Sequence, residues 1–255
     1  MASMPVATCP HCNGSGWKIT EREGLSGADR CECASAGREQ RNEDRANIPP
    51  LYQSASVDNF VLPADNPTAR TGLGTVVLTV RAYVREFPNL NKPGLLFLGP
   101  PGTGKTHLAT AALRGLIARG FEGMFYDFRN LLDRIRSGYD QTSGTMDKEA
   151  YRSALETDVV LLDDLGAHRV TDWVEDTITS IVTWRCNHRK ATIITTNLRD
   201  PEAGDQRGAG LADDVHSKYF LEERIGMRAR SRLFEMCRLV KMPYVEDYRL
   251  KRKPY

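Results

Sequence analysis

No stretch of the 255 residues approaches the run of about 20 apolar residues that a membrane-spanning helix requires. The N-terminus, MASMPVATCPHC, has no basic segment followed by an apolar one, so it does not read as a secretory signal and a cytoplasmic protein is expected. There is no internal repeat. Net charge is small, at +2. Residues 1–47 have few large apolar side chains, too few to form a core of their own. Cysteine is scarce beyond residue 33, where only Cys186 and Cys237 occur, both in amphipathic contexts that suit core thiols. What is present is an ordinary globular mix, 40% hydrophobic and 27% charged. That excludes a disordered chain, a coiled coil, a collagen or a mini-protein, and the length suits one full domain with an appendage.

The small net charge hides an uneven distribution. Residues 1–50 carry 6 Lys/Arg and 7 Asp/Glu, whereas residues 224–255 carry 10 and 3. The basic C-terminal segment is a possible polyanion contact or a solvated tail. Three regions separate by composition: 1–47, polar and cysteine-bearing; 48–92, a linker and lead-in helix; and 93–255, the main domain. Ile48-Pro49-Pro50 disfavours helix. From Thr71 to Phe87 the apolar Leu73, Val76, Val77, Val80 and Val84 keep helical spacing. Beyond residue 93, short apolar runs (Leu95–Leu98, Gly123–Tyr126, Val159–Leu162, Thr192–Thr195) alternate with helix-compatible segments (Thr106–Arg119, Arg129–Ile135, Trp173–His188). This predicts an α/β fold, a parallel sheet flanked by helices with right-handed crossovers. Ser137–Asp147 and the Gly/Asp-rich Asp200–Asp214 read as surface segments.

Gly99-Pro100-Pro101-Gly102-Thr103-Gly104-Lys105-Thr106 matches G-x-x-x-x-G-K-[ST] in full, between a predicted strand and a predicted helix. The glycines let backbone N–H groups turn inward around phosphate oxygens, and the helix N-terminus adds a favourable dipole. Lys105 would neutralise the β- and γ-phosphates, and the Thr106 hydroxyl would ligate Mg²⁺. His107 follows directly and joins the candidate nucleotide-binding set. Val159–Leu162 ends in Asp163 and Asp164, 58 residues after Lys105. Asp163 would hold Mg²⁺; Asp164 would orient and deprotonate the attacking water. Thr192–Thr196 ends in Asn197, whose amide could position that water or simply cap a turn.

Cys9-Pro10-His11-Cys12, then Cys31 and Cys33, form C-x2-C and C-x-C pairs. Paired cysteines in a cytosolic protein more often bind metal than form disulfides. Four thiolates would make a tetrahedral zinc site, and Gly14 and Gly16 permit the tight turn around it. So polar a segment needs the metal to fold. Free thiols or a redox pair are the alternatives.

The chain resembles the AAA+ ATPases of the DnaC/DnaI helicase-loader and IstB group. The resemblance spans about residues 48–250 and rests on GPPGTGKT, VVLLDDLG, IITTN, Glu223-Arg224-Ile225 through Ser231-Arg232-Leu233-Phe234-Glu235-Met236-Cys237, Glu246-Asp247-Tyr248-Arg249, and the approach from Ile48 to Phe60. It implies an ATPase whose site is completed by a neighbouring subunit. Arg228 matches the family's arginine finger best by spacing, with Arg224 and Arg232 as competitors, and Arg249 matches the second sensor, acting in cis. Many relatives place Glu where this chain has Asp164, which weakens that residue's assignment as base. No separate helical lid domain is expected after Arg249. The helix after the second strand, Asp127–Arg136, corresponds to a channel-lining helix, so Arg129, Arg134 and Arg136 become candidate contacts to single-stranded DNA. Phe128, Leu131, Leu132 and Ile135 read as its core face.

The function this resemblance implies is ATP-dependent loading of the replicative hexameric helicase onto single-stranded DNA. The loader would form a ring or spiral of six copies, dock through the zinc segment and leave on hydrolysis. An IstB-like transposition helper acting on double-stranded DNA, and a non-hydrolysing nucleotide-gated adaptor, are the alternatives.

Overall fold

The chain is seen in a computed structural model that describes residues 9–13, 15, 17–22, 25–31, 42–137, 146–168, 170–203, 219–245 and 247–248. Strands β1 (Trp17–Arg22) and β2 (Leu25–Arg30) form an antiparallel hairpin with Trp17 opposite Arg30. Next come α1 (Pro67–Glu86), β3 (Gly94–Leu98), α2 (Lys105–Ala118), β4 (Gly123–Asp127), α3 (Phe128–Ser137) and α4 (Met146–Glu156). They are followed by β5 (Val159–Asp163), α5 (Asp172–Asn187), β6 (Ala191–Thr196), α6 (Leu221–Met236) and β7 (Cys237–Lys241).

The five later strands run in the order β4-β5-β6-β3-β7, all neighbours parallel. Helices cover both faces. Leu96, Leu98, Val160, Leu162 and Ile194 meet α3, α4, α5 and α6 on one side; Leu95, Phe97, Val159, Leu161 and Ile193 meet α1 and α2 on the other. Strands buried on both faces must be apolar throughout, which is why they read as continuous rather than alternating runs.

Residues 48–92 belong to this packing. The predicted lead-in helix is α1, started by the Asn66 side chain, which accepts from the Ala69 N–H at 2.9 Å, and by Pro67 in the first turn. It buries Ala69, Leu73, Val76, Val80 and Tyr83, a single helical stripe, against the sheet face that α2 shares. Ile48 and Phe87 join the same core, so the stretch is a structural part of the main domain rather than a free connector.

On the opposite face the largest fully buried side chain is Arg185 of α5. Its guanidinium donates to the carbonyls of Ala154 (3.0 Å), Leu155 (2.8 Å) and Thr157 (3.0 Å), to the Thr192 hydroxyl (2.9 Å) and to the carbonyl of Ala191. Arg185 thus satisfies the orphan carbonyls at the C-terminal end of α4 and ties them to β6. Burial pulls its pKa down to about 9.

Candidate functional site

The phosphate loop, Asp163, Asp164 and Asn197 all lie where the parallel strands end. Such carboxyl-end crevices are where open α/β sheets bind ligands. After β3 the chain turns through the phosphate loop, with Gly102 at φ 73° and Gly104 at φ 89°, backbone states that a side chain resists. A Cβ on Gly104 would lie 2.5 Å from the Phe60 ring, and one on Gly102 would lie 2.1 Å from the Asp247 carboxyl. The Lys105 Nζ folds back to donate to the carbonyls of Gly99 (2.9 Å) and Pro100 (2.7 Å), and the Thr103 hydroxyl donates to the latter as well (2.9 Å). These bonds brace the loop. The loop and the residues opening α2 line a cavity of about 1120 Å³, where a helix N-terminus favours an anion.

The strand order decides what faces the phosphate position. β6 sits between the loop strand β3 and the acidic strand β5, so its C-terminal residues come between loop and acids. The Thr195 hydroxyl donates to Asp163 Oδ1 at 2.6 Å and accepts from the Asp164 N–H at 2.9 Å. The Asn197 amide donates to Asp164 Oδ1 at 2.9 Å, and Asp164 is held at φ 56°. The Thr106 side chain lies near enough to Asp163 to favour its charged form. The structure thus brings together Thr106, Asp163, Asp164 and Asn197. Burial raises the Asp163 pKa, opposed by its hydroxyl partners Thr195 and Thr106 and reinforced by Asp164 and Asp127. The oxygens of Thr106 and Asp163 are the hard donors that Mg²⁺ prefers, and a cation held there would offset the cost of burying the Asp163 charge.

Asp127 is a site residue that pattern reading missed. It ends β4, is the register partner of Asp163, and lines the cavity while its Oδ1 accepts from the Asn130 N–H at 2.9 Å at the start of α3. The signal was available: an Asp terminating a strand at the same level as the known acidic pair. Residues 51–66 supply the far wall, with Leu51, Tyr52, Phe60 and Leu62 among its apolar groups. His107 Nε2 meets the Ser56 carbonyl at 3.0 Å, and its ring lies 5.5 Å from that of Phe60.

The three finger candidates of α6, Arg224, Arg228 and Arg232, are sorted by their surroundings. Arg224 donates to the His168 carbonyl at 3.2 Å and lies 3.8 Å over the Tyr219 ring. Arg232 pairs with Glu235 at 2.7 Å. Arg228 is exposed and has no partner among the described residues. It follows a break in α6 at Gly226, φ 78°, where Glu175 fills the space a side chain would need. Arg249 lies outside the described residues. On α3, Arg129, Arg134 and Arg136 are exposed, while Phe128, Leu131, Leu132 and Ile135 are buried, the two faces expected.

In the N-terminal segment the thiols of Cys9, Cys12 and Cys31 lie within 4.8 Å of one another. Cys9 and Cys31 sulfurs are 3.8 Å apart, the separation that two thiolates take on a tetrahedral zinc at about 2.3 Å. The Asn13 N–H donates to the Cys9 carbonyl (2.9 Å) and the Ser15 hydroxyl to that of Cys12 (2.7 Å), closing the turn that faces both thiols inward. These three residues fit a zinc ion; Cys33 lies outside the described residues. Cys237 is buried, and burial drives its thiol pKa upward; Cys186 is half-buried.

A parallel sheet with a phosphate loop on one central strand, acids on a second and a polar strand between them defines a P-loop NTPase of the AAA+ class. Comparison with known proteins narrows this. The model of the IstB-like ATP binding protein family matches residues 80–205. The replicative helicase loader DnaC of Escherichia coli (strain K12) is 27% identical over 174 residues, covering 68% of both chains. YqaM of Bacillus subtilis (strain 168), whose role is uncharacterised, is 23% identical over 239 residues, 90% of this chain and 66% of that one. The crystal structure of the DnaC helicase loader superposes with a TM-score of 0.61 at 31% identity, over 76% of this chain and all (100%) of that one. DnaI shares the fold at a TM-score of 0.57 and 20% identity, covering 81% of this chain and 99% of that one. The chain belongs to the DnaC/IstB-like family of AAA+ ATPases. Among the described residues no helix is long and apolar enough to cross a membrane.

Proposed function

We propose that this protein is an ATP-dependent loader of the replicative DNA helicase, placing that helicase on single-stranded DNA. The observation that carries the reading is Arg228. The cavity wall contains no arginine among the described residues, yet phosphoryl transfer needs a cation on the developing charge. An exposed arginine beside a helix break, unpartnered among the described residues, would serve a neighbouring copy instead. The protein would then assemble as a ring or spiral, six copies in the simplest form, with ATP between subunits.

Within one site, the loop N–H groups and Lys105 hold the β- and γ-phosphates, and Thr106 and Asp163 hold Mg²⁺, which neutralises phosphate charge. Asp164, oriented by Asn197, positions and deprotonates the attacking water, while Arg228 of the next copy stabilises the transition state. Arg249 would contribute in cis as a second sensor. Hydrolysis is slow by itself and modulated by DNA or partner. Arg129, Arg134 and Arg136 face DNA phosphates in the channel without reading sequence. A zinc ion on Cys9, Cys12, Cys31 and Cys33 would order the N-terminal segment that grips the helicase. The curated relatives favour this reading over a transposition helper, because the IstB-like match covers only part of the ATPase core, where both classes agree.

Size-exclusion chromatography with light scattering, on this protein mixed with the replicative helicase of its host, tests the proposal. A large complex with ATP, lost when residues 1–47 are deleted, is expected. Assembly on duplex DNA with no helicase complex would refute it.

A further inference from the structure

The cavity wall contains a polar group that phosphate chemistry does not use. His107 Nε2 lies 3.0 Å from the Ser56 carbonyl. A carbonyl oxygen only accepts, so Nε2 carries the hydrogen. In the neutral ring Nδ1 then holds a lone pair, and Nδ1 has no partner among the described residues. The ring lines the cavity together with Phe60, whose centroid is 5.5 Å away at an interplanar angle of 60°. Phe60 is itself wedged against Gly104, whose Cβ position would lie 2.5 Å from it. Asn59, the neighbouring polar side chain, is committed to its own loop: its Oδ1 accepts from the Ser56 N–H at 2.9 Å and its Nδ2 donates to the Ser54 carbonyl at 2.7 Å. The Ser56 carbonyl that orients His107 therefore sits in a loop pinned from two sides.

We infer that His107 is the base-selecting residue of this nucleotide site. Its Nδ1 accepts a hydrogen bond from the exocyclic amino group of adenine while Phe60 packs against the ring. Guanine presents a carbonyl oxygen at the corresponding position, so two acceptors would face each other in a partly desolvated cavity. A buried polar group left facing its own kind loses its water without gaining a partner. The inference rests on the nucleotide-site reading above and assigns the origin of base choice within it.

The test is equilibrium binding by competition against a fluorescent ATP analogue, with Mg²⁺ present. The full chain is compared across ATP, GTP and purine riboside triphosphate, which lacks the amino group. The intact protein is expected to bind GTP and the amino-less analogue roughly 10- to 100-fold more weakly than ATP. In His107→Leu, ATP affinity drops to that of the amino-less analogue and the ATP-to-GTP ratio collapses, whereas Phe60→Ala weakens all three alike. Equal binding of ATP and the amino-less analogue by the intact protein overturns the inference without any variant, so a misfolded His107→Leu does not shield it. A folded His107→Leu that keeps the intact protein's ratio also overturns it. If the intact protein binds none of the three, the nucleotide site itself is refuted and the inference falls with it.

Discussion

Between Cys9 and Cys31 the buried hydrophobic residues, among those described, are Cys12 and Cys31, and Ile19 is 83% exposed. Between Gly94 and Leu98 every residue is buried. The two regions are ordered by different physics. The sheet core is stabilised by apolar area removed from water, a term that grows with size and has no single indispensable member. The hairpin has almost no such area, so under the proposed zinc reading its order would rest on three converging sulfurs and the ion they suit. One consequence is independence: each region should survive the loss of what holds the other.

Four experiments would break or sharpen that contrast, from the largest effect to the smallest. Stripping metal with a chelator should unfold the hairpin, since a structural zinc site contributes on the order of 10 kcal/mol to a segment that cannot fold without it. Amide exchange over residues 17–30 should become unprotected while the main thermal transition stays in place; a protected hairpin in metal-free protein would contradict the zinc reading. Arg185→Ala is the mirror experiment. It strands the carbonyls of Ala154, Leu155 and Thr157 in the core and leaves a cavity, so denaturant unfolding should show a loss of about 3–5 kcal/mol with zinc content unchanged.

Lys105→Ala addresses the site built on the core. The wild-type protein should gain about 3 kcal/mol of stability from Mg·ATP at 100 times its Kd, and the variant should gain none. An unchanged ATP-induced rise in the melting temperature would refute the phosphate assignment. Asp163→Asn should give the smallest effect, of opposite sign. Burial raises the folded pKa of Asp163 above its ordinary value of 3.8, so the folded state holds the proton more tightly than the unfolded one. Stability from this group is therefore full below that ordinary value and falls as pH rises through the folded pKa. At neutral pH the nucleotide-free Asn variant should melt slightly higher than the wild-type protein, with a flatter pH profile above the ordinary carboxyl range. A less stable variant would show that the carboxylate is structural.

Much of the core was legible because its signals are local. β3, β4, β5 and β6 are apolar runs that end where chemistry begins, and each observed strand lies within a residue of its predicted bounds at either end. The phosphate loop is a contiguous motif. β7, by contrast, is an edge strand whose Arg238 and Lys241 are exposed, and α6 runs into it without a glycine or proline between them. Neither periodicity nor punctuation marked it. α4 begins within the segment read as surface, since its polar face dominates the composition. Arg185 looks like any surface arginine until the carbonyls around it are known, and Asp127 becomes a site residue only through its register with Asp163. The wall formed by residues 51–66 is a loop, and no propensity predicts which cavity a loop will cover.

The central claim is that each ATP site is finished by the next copy of the chain. Arg228→Ala and Asp164→Asn should each bind ATP and hydrolyse it poorly, because each spoils a different half of the same interface. Mixed at equal concentration, they would form some interfaces with an intact Asp164 from one copy and an intact Arg228 from the other. Steady-state phosphate release from the mixture, compared with each variant alone, is the direct measurement. The expected result is partial recovery of activity that rises with protein concentration. A mixture no more active than the two variants apart would contradict the composite site.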